Sequence, residues 1–316
     1  MVSLQDIRDA HNRIHDRIVK TPVMTSTSLD RITGCYVFLK CENFQRVGAF
    51  KFRGALNTVS LLTEEERKRG VIAHSSGNHA QALALAASME GVKATIVMPK
   101  NSPKVKVDAT RGYGAEIVFC ENSSEARVQV ADELVKTHNY TLVHPYDDER
   151  IIAGAGTSAL ELIEEVGHLD YLFAPVGGGG LLSGTSIATK GLNPKTTVVG
   201  VEPEMADDAY RSFRDGQIYP SLYPDTIADG LRTQLSELTF KIIRENVDNI
   251  ITVSEEEIVE AMRFLWERMK MVVEPSGAVS LAGLLKLKDS ISGKKVGVIL
   301  SGGNVDLSEF FQKFEN

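Results

Sequence analysis

Short apolar runs alternate along this chain with longer stretches whose apolar positions recur at helical spacing. The runs at 71–74, 94–98, 116–119 and 141–144 read as strands, and the stretches between them, 78–90, 103–112 and 123–138, as helices. A second series follows: helix 149–166, a buried strand 170–176, a helix from Leu181, strand 197–201 ending in Glu202, strand 250–253, helix 254–269, helix 276–287 and strand 296–300. Ser254 and Glu257 form a capping-box pattern at the start of helix 254–269. Ahead of both series lie a helix over 4–19 stopped by Thr21-Pro22, a strand over 36–40, a helix over 53–62 and a charged run over 63–70 that reads as a linker or solvated helix end. Strands that alternate with helices of this length make right-handed crossovers and parallel sheets. The pattern predicts an α/β chain in two lobes, 1–62 with 148–316 as the larger and 70–147 inserted as the smaller.

Composition narrows the function classes. The 316 residues, 43% of them hydrophobic, suffice for two cores. A formal charge of -7 without a basic block argues against nucleic acid or an anionic membrane as partner. Residues 1–18 carry no apolar run of the kind a signal or transit sequence has, and no stretch approaches the roughly 20 apolar residues that span a bilayer. Cys35, Cys41 and Cys120 form no Cys-x-x-Cys pair, which suits a reducing cytoplasm. His11 and His15 lack a third ligand at metal-site spacing and read as surface residues.

Candidate chemistry centres on Gly48-Ala49-Phe50-Lys51-Phe52-Arg53-Gly54, where one lysine stands between aromatic rings. Rings dehydrate an ammonium and favour the neutral amine, the form that condenses with a carbonyl cofactor. The ordinary alternative is a lysine lying along an apolar surface with its charge in water. Gly177-Gly178-Gly179-Gly180 sits between a buried strand and a helix start, where bare N–H groups and the helix dipole suit a phosphate. That run also nearly satisfies the dinucleotide fingerprint, and Glu202 ends the next strand near the spacing of a ribose-binding acid. Gly154-Ala155-Gly156-Thr157-Ser158-Ala159 fits the looser fingerprint but lies inside a helical pattern. Ser75-Ser76-Gly77-Asn78-His79-Ala80 opens a helix, and Ser301 follows the last strand. An aldehyde-reactive lysine, a phosphate site, an amide for a ring hydroxyl and a hydroxyl for a ring nitrogen together describe pyridoxal 5'-phosphate.

These segments, with Glu274-Pro275-Ser276-Gly277 and Ser301-Gly302-Gly303-Asn304, resemble in order the fold-type II pyridoxal-phosphate enzymes, and among them the serine racemase and serine/threonine dehydratase group. The resemblance spans nearly the whole chain. It implies a two-domain, tryptophan synthase β-like fold with 1–62 and 148–316 as the cofactor domain, and a homodimer acting on a small amino acid. It implies that Lys51 holds the cofactor and removes the α-proton from one face, that Phe50 lies against the ring, that Gly177, Gly178, Gly179, Gly180 and the Leu181 amide hold the phosphate, that Asn78 reaches the ring hydroxyl, and that Ser301 faces the ring nitrogen. Ser76 would supply the proton donor on the opposite face, giving racemisation, while loss of a β-hydroxyl gives dehydration.

Further residues are carried over by the same resemblance. Ser75, Ser76, Asn78 and His79 would bind the substrate, with Arg127, Asp229 and Thr233 near it. Arg232 departs from the animal racemases, and a cation there favours a second substrate carboxylate, as in 3-hydroxyaspartate. Glu202, Ala206 and Asp208 resemble a divalent-cation site, whose oxygen ligands suit Mg2+, Ca2+ or Mn2+. Gln81, Lys106, Tyr113 and Asn304 match an ATP site, whereas Arg46 and Val47 differ from it. An NAD-dependent oxidoreductase and a non-catalytic amino-acid sensor are the competing readings.

Overall fold

A computed structural model describes residues 1–102, 104–222 and 224–305. The chain begins with α1 (Leu4–Ile14), opened by a Ser3–Asp6 capping box. Then come β1 (Val23–Met24), α2 (Thr27–Thr33), β2 (Tyr36–Cys41) and α3 (Lys51–Ser60). The charged run is itself a helix, α4 (Glu64–Arg69): Thr63 caps it, with acids in its first turn and bases in its last, as the helix dipole favours.

The smaller lobe runs β3 (Val71–His74), α5 (Asn78–Met89), β4 (Ala94–Pro99), α6 (Lys104–Gly112), β5 (Glu116–Cys120), α7 (Ser124–His138) and β6 (Thr141–Leu142). The expected start of α6 at Pro103 lies outside the described residues. Its strands form a parallel sheet in the order β5-β4-β3-β6.

The return to the larger lobe gives α8 (Glu149–Val166), β7 (Tyr171–Pro175), α9 (Gly180–Leu192), β8 (Thr197–Pro203), α10 (Asp208–Asp215), α11 (Glu237–Asn246), β9 (Asn249–Val253), α12 (Glu255–Met269), α13 (Pro275–Leu287) and β10 (Lys295–Leu300). Their sheet has the order β1-β2-β10-β7-β8-β9, parallel except for the β1–β2 pair. The last strand therefore lies between β2 and β7, pairing Lys295 with Tyr36 and Val296 with Tyr171. This register brings the turn after β10 beside the turn that carries Lys51.

Helices α3, α8 and α9 pack almost backbone to backbone. A Cβ at Gly154 would stand 2.7 Å from Gly54 Cα, and one at Gly156 2.8 Å from the Gly184 carbonyl. The Gly154-x-Gly156 pattern thus serves helix packing rather than a nucleotide.

Candidate active site

Lys51 opens α3, two residues earlier than the apolar spacing predicts. The preceding turn is fastened to the turn after β10: Phe50 N donates to Ser301 O at 3.0 Å, and Gly303 N to Gly48 O at 2.9 Å. Val47 is β-branched yet adopts φ 55, and its carbonyl accepts a 2.7 Å hydrogen bond from Asn304 Nδ2. Lys51 Nζ lies 5.1 Å from the Phe50 ring centre and donates to Pro145 O at 2.7 Å. Burial lowers its pKa to about 8, although the residue keeps some solvent exposure.

Joined to the lysine turn through Asn304, the 75–78 turn leads from β3 into α5. Gly77 N donates to Ser75 Oγ at 3.3 Å, Ser76 is half-buried, and a Cβ on Gly77 would meet nothing within 4 Å. Both ends of the Asn78 amide are held: Nδ2 donates to Glu274 Oε1 at 2.8 Å, and Oδ1 accepts from Asn304 Nδ2 at 2.8 Å. Burial, with the Asp229 charge adding to it, pushes Glu274 up to about 7. His79 lies buried in the first turn of α5, the helix start whose donors are expected at a substrate carboxylate. Its Nε2 is spent on Val143 O at 2.9 Å, and burial, then the Lys51 charge, holds it neutral with a pKa of about 3. Only its backbone N–H, in the first turn of α5, remains suited to an anion.

The four glycines are buried, with Gly179 at φ 87 and α9 starting at Gly180. Side chains have no room there: a Cβ at Gly177 would come 2.9 Å from Leu231 Cα and 3.3 Å from Thr233 Oγ1. The first-turn N–H groups of α9, Leu181 included, have no acceptor inside the helix, so the loop fits an anionic phosphate. Ser301 is buried, its Oγ donating to Ser276 O at 3.4 Å.

Glu202 and Asp208 are both buried. Glu202 accepts from Ala209 N at 3.0 Å and Tyr210 N at 2.7 Å, whereas the Asp208 carboxylate has the Ser221 hydroxyl near it but no hydrogen bond of good geometry among the described residues. Burial drives both pKa values upward, Asp208 to about 6, and the Asp208 charge raises Glu202 further. No group of three or more His, Cys, Asp or Glu side chains suited to a metal occurs among the described residues. A cation here would be held by this carboxylate pair with carbonyl oxygen, such as that of buried Ala206, and water. Each Glu202 oxygen accepts one N–H bond from the start of α10 and keeps a second lone pair for such a cation.

Asp229 and Lys106, expected at the substrate and the nucleotide, pair with each other at 3.0 Å across the lobes. Arg127 is half-buried on α7 near His74, which burial and then the Arg127 charge keep below its usual pKa. Gln81 is buried on α5, while Tyr113 packs against the small-lobe core. Arg232 is exposed and donates from Nε to Thr226 O at 3.0 Å.

Beneath Lys51 lies a buried charge cluster that no local motif announces. Arg53 meets Glu42 at 2.7 Å and Glu161 at 2.8 Å, and Lys40 meets Glu161 at 2.7 Å. Thr21 Oγ1 closes the cluster on Glu42 at 2.6 Å. Two cations balance two carboxylates, and removing one partner from such a buried set typically costs about 3–5 kcal/mol. The cluster anchors the first turn of α3.

A family model described as pyridoxal-phosphate dependent enzyme matches residues 14–302. L-threo-3-hydroxyaspartate ammonia-lyase of Saccharomyces cerevisiae is 55% identical over 306 residues, covering 96% of this chain and 94% of that protein. Serine racemase of Dictyostelium discoideum is 50% identical over 311 residues, covering 97% of this chain and 96% of that protein. Among solved structures, maize serine racemase matches with a TM-score of 0.96 at 42% identity, covering 99% of this chain and 97% of that one. The chain belongs to the pyridoxal-phosphate dependent enzyme family, with the α/β, parallel-rich fold of its fold-type II members. The oxidoreductase alternative is thereby set aside.

Proposed function

We propose that this chain racemises serine and dehydrates L-serine and L-threonine to a keto acid and ammonia. The carrying observation is a dehydrated amine, Lys51, that donates to the carbonyl of Pro145, next to Tyr146, whose side chain lies against the bare tetraglycine loop. When bound, pyridoxal phosphate withdraws electrons from the α-carbon of an amino acid, which makes the α-proton removable. Lys51 would hold the cofactor and move the proton on one face, and Ser76 would donate from the other. Ser75 and the α5 N-terminus would bind the substrate carboxylate. Asn78, its amide fixed by Glu274 and Asn304, would present its remaining hydrogen-bonding capacity to the ring hydroxyl. Ser301 offers a neutral hydroxyl, which does not keep a ring nitrogen protonated as a carboxylate would.

Elimination from 3-hydroxyaspartate is the second reading. It is favoured by Arg232, a cation beside Thr233 on the loop that carries Asp229, and by the relatives that bear that activity in their names. Chiral analysis of products from L-serine, L-threonine and L-threo-3-hydroxyaspartate decides between them. D-serine together with pyruvate from L-serine supports the first; turnover of hydroxyaspartate alone supports the second.

Residues 1–62 and 148–316 form the cofactor domain and 70–147 the inserted one. Magnesium would occupy the Glu202–Asp208 site, a reading supported by the buried Asp208 carboxylate that lacks a hydrogen bond of good geometry. The enzyme is a cytoplasmic homodimer; its three cysteines are buried and free, and no helix among the described residues is long and apolar enough to cross a membrane. ATP regulation has weaker support, because Lys106 is engaged by Asp229.

A further inference from the structure

The four glycines are contacted alternately from two sides. Gly177 and Gly179 face the 231–243 segment: a Cβ at Gly179 would come 2.8 Å from Leu235 Cδ2 and 2.9 Å from Thr239 Cβ. Gly178 and Gly180 face Tyr146. The tyrosine ring lies directly on Gly178, where a Cβ would collide with Cγ, Cδ1 and Cε1, and a Cβ at Gly180 would be 2.9 Å from Tyr146 Cβ. Consecutive glycines are the most mobile backbone a chain can have. Their N–H groups grip an anion well only if the loop is ordered beforehand.

Tyr146 is itself held in place. Its ring meets His144 edge-on at 4.7 Å and 86°. His144 Nδ1 accepts from Asp147 N at 2.9 Å and from Tyr146 N at 3.4 Å, which fixes the local turn. Carbonyls of the same short strap between β6 and α8 accept from His79, at Val143, and from Lys51, at Pro145. Burial holds the phenol protonated, with a pKa pushed up to about 12, so it presents no charge to an anion.

We propose that Tyr146 is a positioning residue for the cofactor phosphate: its ring covers Gly178 in place of a side chain, while its Cβ and backbone back Gly180, and the ring orders the loop. The inference rests on reading the tetraglycine loop as the phosphate cradle. Binding of pyridoxal phosphate, and of pyridoxal without the phosphate, to cofactor-stripped full-length protein tests it by chromophore absorbance. Tyr146→Ala should weaken the phosphorylated aldehyde by about 10-fold and leave pyridoxal within about twofold, while Tyr146→Phe leaves both unchanged. If the alanine variant does not fold, Tyr146→Leu, which lacks the flat ring, should show the same selective loss. Unchanged phosphate-aldehyde affinity, or equal losses for both aldehydes, would overturn the proposal. Wild-type protein that binds the two aldehydes equally would instead sink the cradle reading itself.

Discussion

Lys51 Nζ donates to the carbonyl of Pro145 at 2.7 Å, across 94 positions of chain. A neutral carbonyl offsets the dehydration of an ammonium far less than a carboxylate would, so burial prevails and the amine falls from 10.5 to about 8. The folded protein therefore favours the neutral, nucleophilic amine above pH 8. Rapid mixing of cofactor-free protein with pyridoxal phosphate should show capture rising with pH through a midpoint near 8 to a plateau. A rate that climbs unchanged through pH 10.5 would mean an ordinary solvated lysine.

Ser76 stands in the half-buried turn between β3 and α5, two residues ahead of Asn78. Ser76→Ala should reduce racemisation of L-serine by about 100-fold, the scale of a lost general acid, with elimination from the L-substrate reduced far less. Chiral chromatography and keto-acid release measured on one sample give both rates. Equal losses would refute the assignment of Ser76 to the second face.

Glu274 joins Asn78 to the turn after β10 and carries a raised pKa. A raised folded value means that its favourable contribution is complete below about 4.5 and is lost as pH rises through about 7. Urea unfolding at pH 5 and pH 8 should show wild-type protein losing up to about 3 kcal/mol more than Glu274→Gln over that interval. The variant also turns one acceptor into a donor facing Asn304 N, a cost that is constant with pH. Parallel stability curves for the two proteins would exclude the ionisation.

Glu202 and Asp208 repel each other in a buried site. Magnesium should raise the melting temperature, by the equivalent of about 2.7 kcal/mol at a hundredfold excess over its dissociation constant. Asp208→Asn should melt higher than wild type without the ion and respond to it little. A wild-type melting temperature indifferent to magnesium, calcium and manganese would remove the site.

The sequence made some of this legible because certain functional groups come with local punctuation. Lys51 is flagged by its rings and glycines, the phosphate loop by four glycines between strand and helix, and α12 by Ser254 and Glu257. The Arg53 cluster is not so flagged, since Glu161 lies 108 positions from Arg53 and only the packing of α8 on α3 brings them together. Tyr146 gave no signal for the same reason: its contact is with backbone that has no side chain to suggest a partner. His79 is flagged by its place in a matched motif, where spacing identifies the residue but not the partner of its ring, the Val143 carbonyl. α11 did carry a signal, Ser236 ahead of apolar Leu238, Ile242 and Ile243, but over ten residues that spacing is weak evidence.

The most direct test of the account is chemical fixation of the cofactor. Purified enzyme reduced with borohydride, digested and analysed by mass spectrometry should carry the pyridoxyl phosphate group on the peptide containing Lys51, and Lys51→Ala should carry none. The same mass on Lys40 or any other lysine, or no fixed cofactor in the wild-type protein, would contradict it.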